Sequence, residues 1–195
     1  MAGAALTLAS GSPQRRAILE QLGLDFTVVE PGAQERTDGE AQELVLANAL
    51  AKARSVHGEL VLGADTAVEL EGRVLGKPRD ESEARSYLRL LEGRMHRVWS
   101  GLALVRDGDE RLGTSATNVC FRALDPRDID WYVETGEWRG RAGAYAIQGV
   151  AATFVSHLSG SYSGVMGLPL YETGKLLREF GLDVREMRVA VDQIG

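Results

Sequence analysis

Apolar and polar positions change rhythm along the chain, and each change marks an element. The apolar run 4–9 predicts a short buried strand leading into Gly11-Ser12-Pro13, where Ser12 has the chemistry of a helix N-cap and Pro13 that of a first helical residue. Ile18, Leu19 and Leu22 then form a helical stripe that Gly23 closes, and 26–29 predicts a second strand before a polar loop through Gly39. Leu44, Ala47, Leu50 and Ala51 predict a long helix over 41–57. Residues 60–63 read as a buried strand, and 67–70 with 73–75 as a hairpin about Glu71-Gly72. Asp80 with Glu83 three residues on opens a helix carrying Ala84, Leu88 and Leu91 that stops at Gly93. Two long strands, 96–105 and 110–121, can pair about Asp107-Gly108. Asp125-Pro126 caps a helix with Ile129, Tyr132 and Val133. Strand 153–158, a helix from Pro169 to Gly181 and a last strand 184–191 complete the chain. Helices and strands alternate but hairpins interrupt, so the pattern predicts an α/β fold with a mixed rather than a purely parallel sheet.

Composition narrows the function. The 195 residues are 44% hydrophobic and 26% charged, which suits one globular domain spanning 1–195 and excludes both disorder and a disulfide-stapled mini-fold. The net charge of -6 argues against a protein that coats nucleic acid or a membrane surface. A small polyanion remains open as a partner, provided that a local cluster of cations meets it. Cys120 is the single cysteine, so no intrachain disulfide and no cysteine-built metal site can form. MAGAALTLAS has no basic leader, and no stretch approaches the roughly 20 apolar residues of a membrane span. A cytoplasmic location is therefore expected.

Four stretches carry candidate chemistry. In LASGSPQRR a strand enters a Gly-Ser turn and a helix follows, with Arg15 and Arg16 in its first turn. Cations there oppose the helix dipole, and a bound phosphate would turn the penalty into attraction; two solvated arginines are the alternative. In LGADT, Asp65 follows a buried strand, at the end where α/β clefts open, and can hold a divalent metal or accept a proton from water; a turn aspartate is the alternative. In LGKPRD, Pro78 keeps Lys77 extended and aims it from a loop beside the hairpin that carries Asp65; a solvated lysine is the alternative. In GAYAIQG and GSYSGVMGLPL, dense glycine allows close backbone approach to a ligand or partner, and the Gln148 amide could read a base edge. Lys52, one turn after Asn48 on an alanine-rich helix, can lay its stem on the core and its charge in a cleft. Glu35 could be a second carboxylate for a metal. His57, His96 and His157 show no ligand spacing.

Together LASGSPQRR, LANALAKA, VLGADT, LGKPRD, GAYAIQG and GSYSGVMGLPL resemble, in order and over nearly the whole chain, the Maf family of nucleotide pyrophosphatases. The resemblance implies a Maf/inosine-triphosphatase-like mixed sheet with helices on both faces and two lobes around a central cleft. It implies cleavage of a nucleoside triphosphate to the monophosphate and pyrophosphate, a divalent cation (magnesium or manganese) and often a homodimer. Carried over by motif, Asp65 looks like the proton acceptor and a metal ligand, and Glu35 like the metal-side carboxylate. Ser10, Arg15, Lys52 and Lys77 look like the phosphate-facing set. Gln14, Thr66 and Gln148 occupy the positions that set the base. Thr66 and Gln148 look like the dTTP/UTP branch, whereas Gln14 departs from the arginine usual there. A 7-methyl-GTP or other modified-nucleotide enzyme, and a nucleotide-binding regulator of septum formation, are the alternatives.

Overall fold

The computed structural model describes residues 6–187. In chain order its elements are β1 (Leu6–Ala9), α1 (Pro13–Gln21), β2 (Phe26–Val29), α2 (Ala41–Arg54), β3 (Leu60–Leu70), β4 (Arg73–Leu75), α3 (Glu81–Leu91), β5 (Met95–Arg106), β6 (Asp109–Phe121), α4 (Pro126–Thr135), β7 (Val155–Ser159), α5 (Tyr162–Met166) and α6 (Leu170–Glu179). Short 3-10 turns cover Ala142–Ala144 and Val150–Phe154. Seven strands form one sheet in the order β2-β1-β3-β5-β6-β7, with β4 also paired to β3. The β1 strand is parallel to β2 and β3, and all other pairs are antiparallel, so the sheet is mixed as its pattern predicts. Among the described residues no helix is long and apolar enough to cross a membrane.

The period-2 alternation of strand side chains puts helices on both faces. Even-numbered Leu6, Leu8, Leu60, Leu62, Ala64, Leu102 and Leu104 pack with Ile18 and Leu19 of α1 and with Leu176 and Leu177 of α6. Odd-numbered Ala9, Val61 and Ala103 pack with Ala49 and Ala53 of α2 on the opposite face. A second core gathers Val68, Leu75, Leu88, Val98, Phe121, Tyr132 and Phe154 around α3 and α4. Along β3 the first core ends at Ala64 and the second begins at Val68, so Asp65 and Thr66 stand at the seam between two lobes.

Two glycines let α2 sit unusually close to the sheet. A Cβ on Gly63 would lie 2.1 Å from the Ala49 carbonyl oxygen, and one on Gly101 would lie 2.4 Å from that of Val45. Gly101 stands opposite Asp65 in the β3–β5 register, so this close seat aims α2 at Asp65.

The structure corrects the predicted strand end before Asp65. The β3 strand runs unbroken from Leu60 to Leu70 because β5 pairs with it from Val61 to Glu69. The opening lies on the other edge of β3. There β1 stops at Ala9, opposite Gly63, and β4 ends at Leu75, opposite Val68. Residues 64–67 therefore face a gap between two short strands, and the gap holds the cavity described below. The predicted last strand is also corrected. Val184 to Met187 form a turn in which the Asp183 carboxylate accepts from the Arg185 backbone N–H, the local bond by which aspartate competes with extended structure. Residues 188–191 of that prediction, like 4 and 5 of the first, lie outside the described residues.

Candidate active site

A cavity of about 500 Å³ opens at this gap. One wall is the chain from Ser10 to Arg15, which carries the β1–α1 turn and the exposed donors of the first helical turn. The other wall is Arg139 to Ala142 with Tyr145 from the second lobe, and Asp65 and Thr66 form the floor. The lining includes five cationic side chains (Arg15, Lys52, Lys77, Arg139, Arg141) against three carboxylates (Glu30, Glu35, Asp65). In a chain of net charge -6, that local excess of positive charge marks an anion site.

Four side chains on three segments form the centre. Asp65 points to the α2 face, where Lys52 Nζ donates to its Oδ1 at 2.7 Å and Asn48 Nδ2 to its Oδ2 at 2.9 Å. Lys52 also meets Glu35 Oε1 at 2.8 Å. Both α2 residues are buried on the apolar stripe of Leu44, Val45, Ala49 and Ala53, where solvation alone would not place them. Asn48 further grips the Glu35 loop: its Oδ1 accepts from the Arg36 N–H at 2.8 Å and its Nδ2 donates to the Arg36 carbonyl at 3.0 Å. Burial pushes the Glu35 carboxyl upward, but the hydrogen bond to Lys52 and the charges of Lys52, Lys77 and Arg15 outweigh it and hold the group below its ordinary range.

Arg15 comes from the other face. Its Nε donates to the Gly167 carbonyl at 2.8 Å, Nη1 to Ser10 Oγ at 3.2 Å and Nη2 to Thr66 Oγ1 at 3.3 Å. All three acceptors are neutral. Among the described residues no carboxylate comes within 4.0 Å of this guanidinium. Burial lowers its pKa, and the fields of Asp65 and Glu35 only partly offset this. A guanidinium has five N–H donors and stays charged, so a buried one facing only neutral partners is ready for an anion. Arg16 is different. It forms a surface ion pair with Glu20 at 2.7 Å and does not line the cavity.

Comparison with known proteins supplies the family. Residues 5–180 match the family described as Maf-like protein. The chain belongs to the Maf family. Similar proteins include the dTTP/UTP pyrophosphatase of Thermococcus gammatolerans, 47% identical over 92% of this chain and 98% of that protein. That of Anaeromyxobacter dehalogenans is 50% identical over 90% of this chain and 94% of its own length. That of Symbiobacterium thermophilum is 47% identical over 92% and 95%.

Of the positions carried over from the Maf resemblance, the cavity gathers Ser10, Gln14, Arg15, Glu35, Lys52, Asp65, Thr66 and Lys77. Lys77 is the loosest of them, with a side chain 63% exposed and an ammonium 4.0 Å from Glu35 Oε2. Gln148 is not among them. It is exposed on a turn after buried Ile147, while the same segment sends Tyr145, Ala142 and Arg141 to the cavity. The glycine-rich segment approaches as expected through Gly167, whose φ of 120° and carbonyl serve Arg15. Sequence reading missed Asn48 and Arg141. For Asn48 a signal existed, since a polar residue stands on the buried stripe one turn before Lys52; for Arg141 none did.

Among the described residues no three His, Cys, Asp or Glu side chains cluster as a ready metal cage. Glu35 and Asp65 are two carboxylates lining one cavity and joined through Lys52. Magnesium-type ions commonly take one or two carboxylates, substrate phosphates and several waters, and this donor set fits that habit.

Proposed function

We propose that this Maf protein is a nucleoside triphosphate pyrophosphatase acting on dTTP and UTP, giving the nucleoside monophosphate and pyrophosphate. The observation that carries the reading is the Glu35–Lys52–Asp65 chain of ion pairs in a cationic cavity at a helix start. The names of the relatives supply the substrate.

Arg15, Lys52, Lys77 and Ser10 neutralise and orient the triphosphate along the first turn of α1. Lys52 and Asn48 fix the direction of the Asp65 carboxylate, so that it accepts the proton of an attacking water. The water oxygen bonds to the α phosphorus, the bond from that phosphorus to the bridging oxygen breaks, and pyrophosphate leaves. Glu35 and Asp65 would hold magnesium or manganese, which would neutralise phosphate charge when bound. Most of the rate gain comes from positioning and charge, as in phosphoryl transfer generally. Thr66 and Gln14 line the cavity where a base would be read.

The test is pyrophosphate release over a panel of canonical and modified triphosphates, with and without magnesium or manganese. dTTP and UTP should be preferred and the metal required. Asp65→Asn should keep its circular dichroism and lose at least about a hundredfold in turnover. Near-normal turnover in that variant would remove Asp65 from the reaction, and a strong preference for 7-methyl-GTP would overturn the base assignment.

A further inference from the structure

Arg141 lines the cavity from the lobe opposite α1, and nothing above gives it work. Its backbone is pinned by bonds from its N–H to Trp138 and from the Ala144 N–H to its carbonyl, each 3.1 Å. Its Nη1 crosses the cleft and donates to Gln14 Oε1. Among the described residues it forms no ion pair, and its Nε is shielded from solvent without a partner. The neighbouring Arg139 is accounted for: it meets Glu81 at 3.8 Å and stacks 5.1 Å from the Trp138 ring centre.

The contact fixes how Gln14 points. A guanidinium has no acceptor, so the amide must turn its oxygen to Arg141. Ser12 Oγ donates to the same oxygen at 3.3 Å. The acceptor of Gln14 is thus engaged twice, and its NH₂ is left to face a ligand. Arg141 adds only further donors. The edge formed by these two residues therefore donates everywhere and accepts nowhere.

We propose that Arg141 is a specificity-determining residue that, with Gln14, takes a carbonyl oxygen of a pyrimidine base. This rests on the nucleotide reading above. Uracil and thymine place a carbonyl where cytosine places an amino group. A donor edge satisfies the first and leaves two donors opposed with the second, and a site built of hydrogen-bonding groups rejects a mismatched partner strongly. Arg141 meets Gln14 outside the Lys52–Asp65–Glu35 cluster, so its ligand is the part of the nucleotide that the cluster does not hold, the base.

The experiment compares kcat/KM for UTP and CTP, and inhibition by tripolyphosphate as a probe without a base, in Arg141→Met, Arg141→Lys and Gln14→Glu. In Arg141→Met, UTP should fall at least about tenfold and CTP much less, with tripolyphosphate inhibition unchanged. Arg141→Lys should recover part of the UTP preference. Gln14→Glu puts an acceptor into the edge and should shift the UTP/CTP ratio towards CTP by about fivefold or more, a readout that survives if Arg141→Met folds poorly. Equal loss on both nucleotides with weakened tripolyphosphate inhibition would make Arg141 a phosphate contact, and an unchanged UTP/CTP ratio in all three variants would leave it without a role; either result overturns the proposal. If the wild-type chain releases no pyrophosphate from any nucleotide, the enzymatic reading fails on its own. Calorimetric binding of UMP against CMP, in wild type and Arg141→Met, still decides this one.

Discussion

Asn48 makes three hydrogen bonds with one amide. It ties the Arg36 backbone at two points and Asp65 at a third, so the Glu35 loop and the β3 strand are held in one frame. Arg36 itself is exposed, and water can take over its backbone groups if the amide is removed. Asn48→Ala should therefore cost stability modestly, about 1 kcal/mol, in urea unfolding. The catalytic loss should be larger, about tenfold or more in kcat/KM, because Glu35 is then no longer held against Lys52. If the variant kept full activity while losing stability, Asn48 would be only a packing residue.

At the scale of elements, the seat of α2 on Gly63 and Gly101 links folding to the site. Gly101→Ala pushes a methyl group into the backbone of Val45 and should cost about 1–3 kcal/mol, with a drop in turnover as Asn48 and Lys52 shift from Asp65. Gly113→Ala is the control. Its new Cβ would meet only the flexible Leu176 side chain at 3.4 Å, and unfolding and turnover should both stay near wild type. The same seat explains what the sequence could and could not disclose. Local signals were legible: the hairpins at Glu71-Gly72 and Asp107-Gly108 have positive φ at both turn residues, and Ser12, Asp80 and Asp125 each cap their helix with a side-chain oxygen. Gly63, read as part of a strand end, is small for a tertiary reason, to admit α2. The α5 helix has five residues, too few for a helical period to show. Most of the charged cavity lining was legible because it lies in motifs; Arg141 was not, because which residues of a glycine-rich turn face a cleft is decided by the turn's path. Gln148 shows the same limit from the other side.

The whole molecule combines an acidic chain with a cationic cleft, and its two cores meet where the chemistry stands. Below the cavity His96 is 2% exposed, bonded through Nε2 to the Tyr145 hydroxyl at 2.9 Å and packed edge-on against Phe121. Burial lowers its pKa to about 4. The unfolded chain therefore binds a proton near pH 6.5 that the folded chain refuses until about 4. Stability from this residue is complete above the unfolded value and is lost as pH falls through that window. From pH 7 to 4.5 the loss should be about 2 to 3 kcal/mol. His96→Phe removes the titration, so the difference between the two chains in urea unfolding should shrink on acidification. Parallel pH dependence in wild type and variant would refute the buried neutral imidazole.

The break between β1 and β4 along the edge of β3 has one more consequence. Every second residue of an antiparallel strand turns both its N–H and its C=O to the same side, so two of residues 64–67 offer theirs to the opening instead of to a neighbouring strand. Part of the grip on any occupant is then peptide bond, which no amino-acid replacement can delete. Alanine scanning of this pocket will undercount it, and relatives can exchange the surrounding side chains while keeping that share of the affinity.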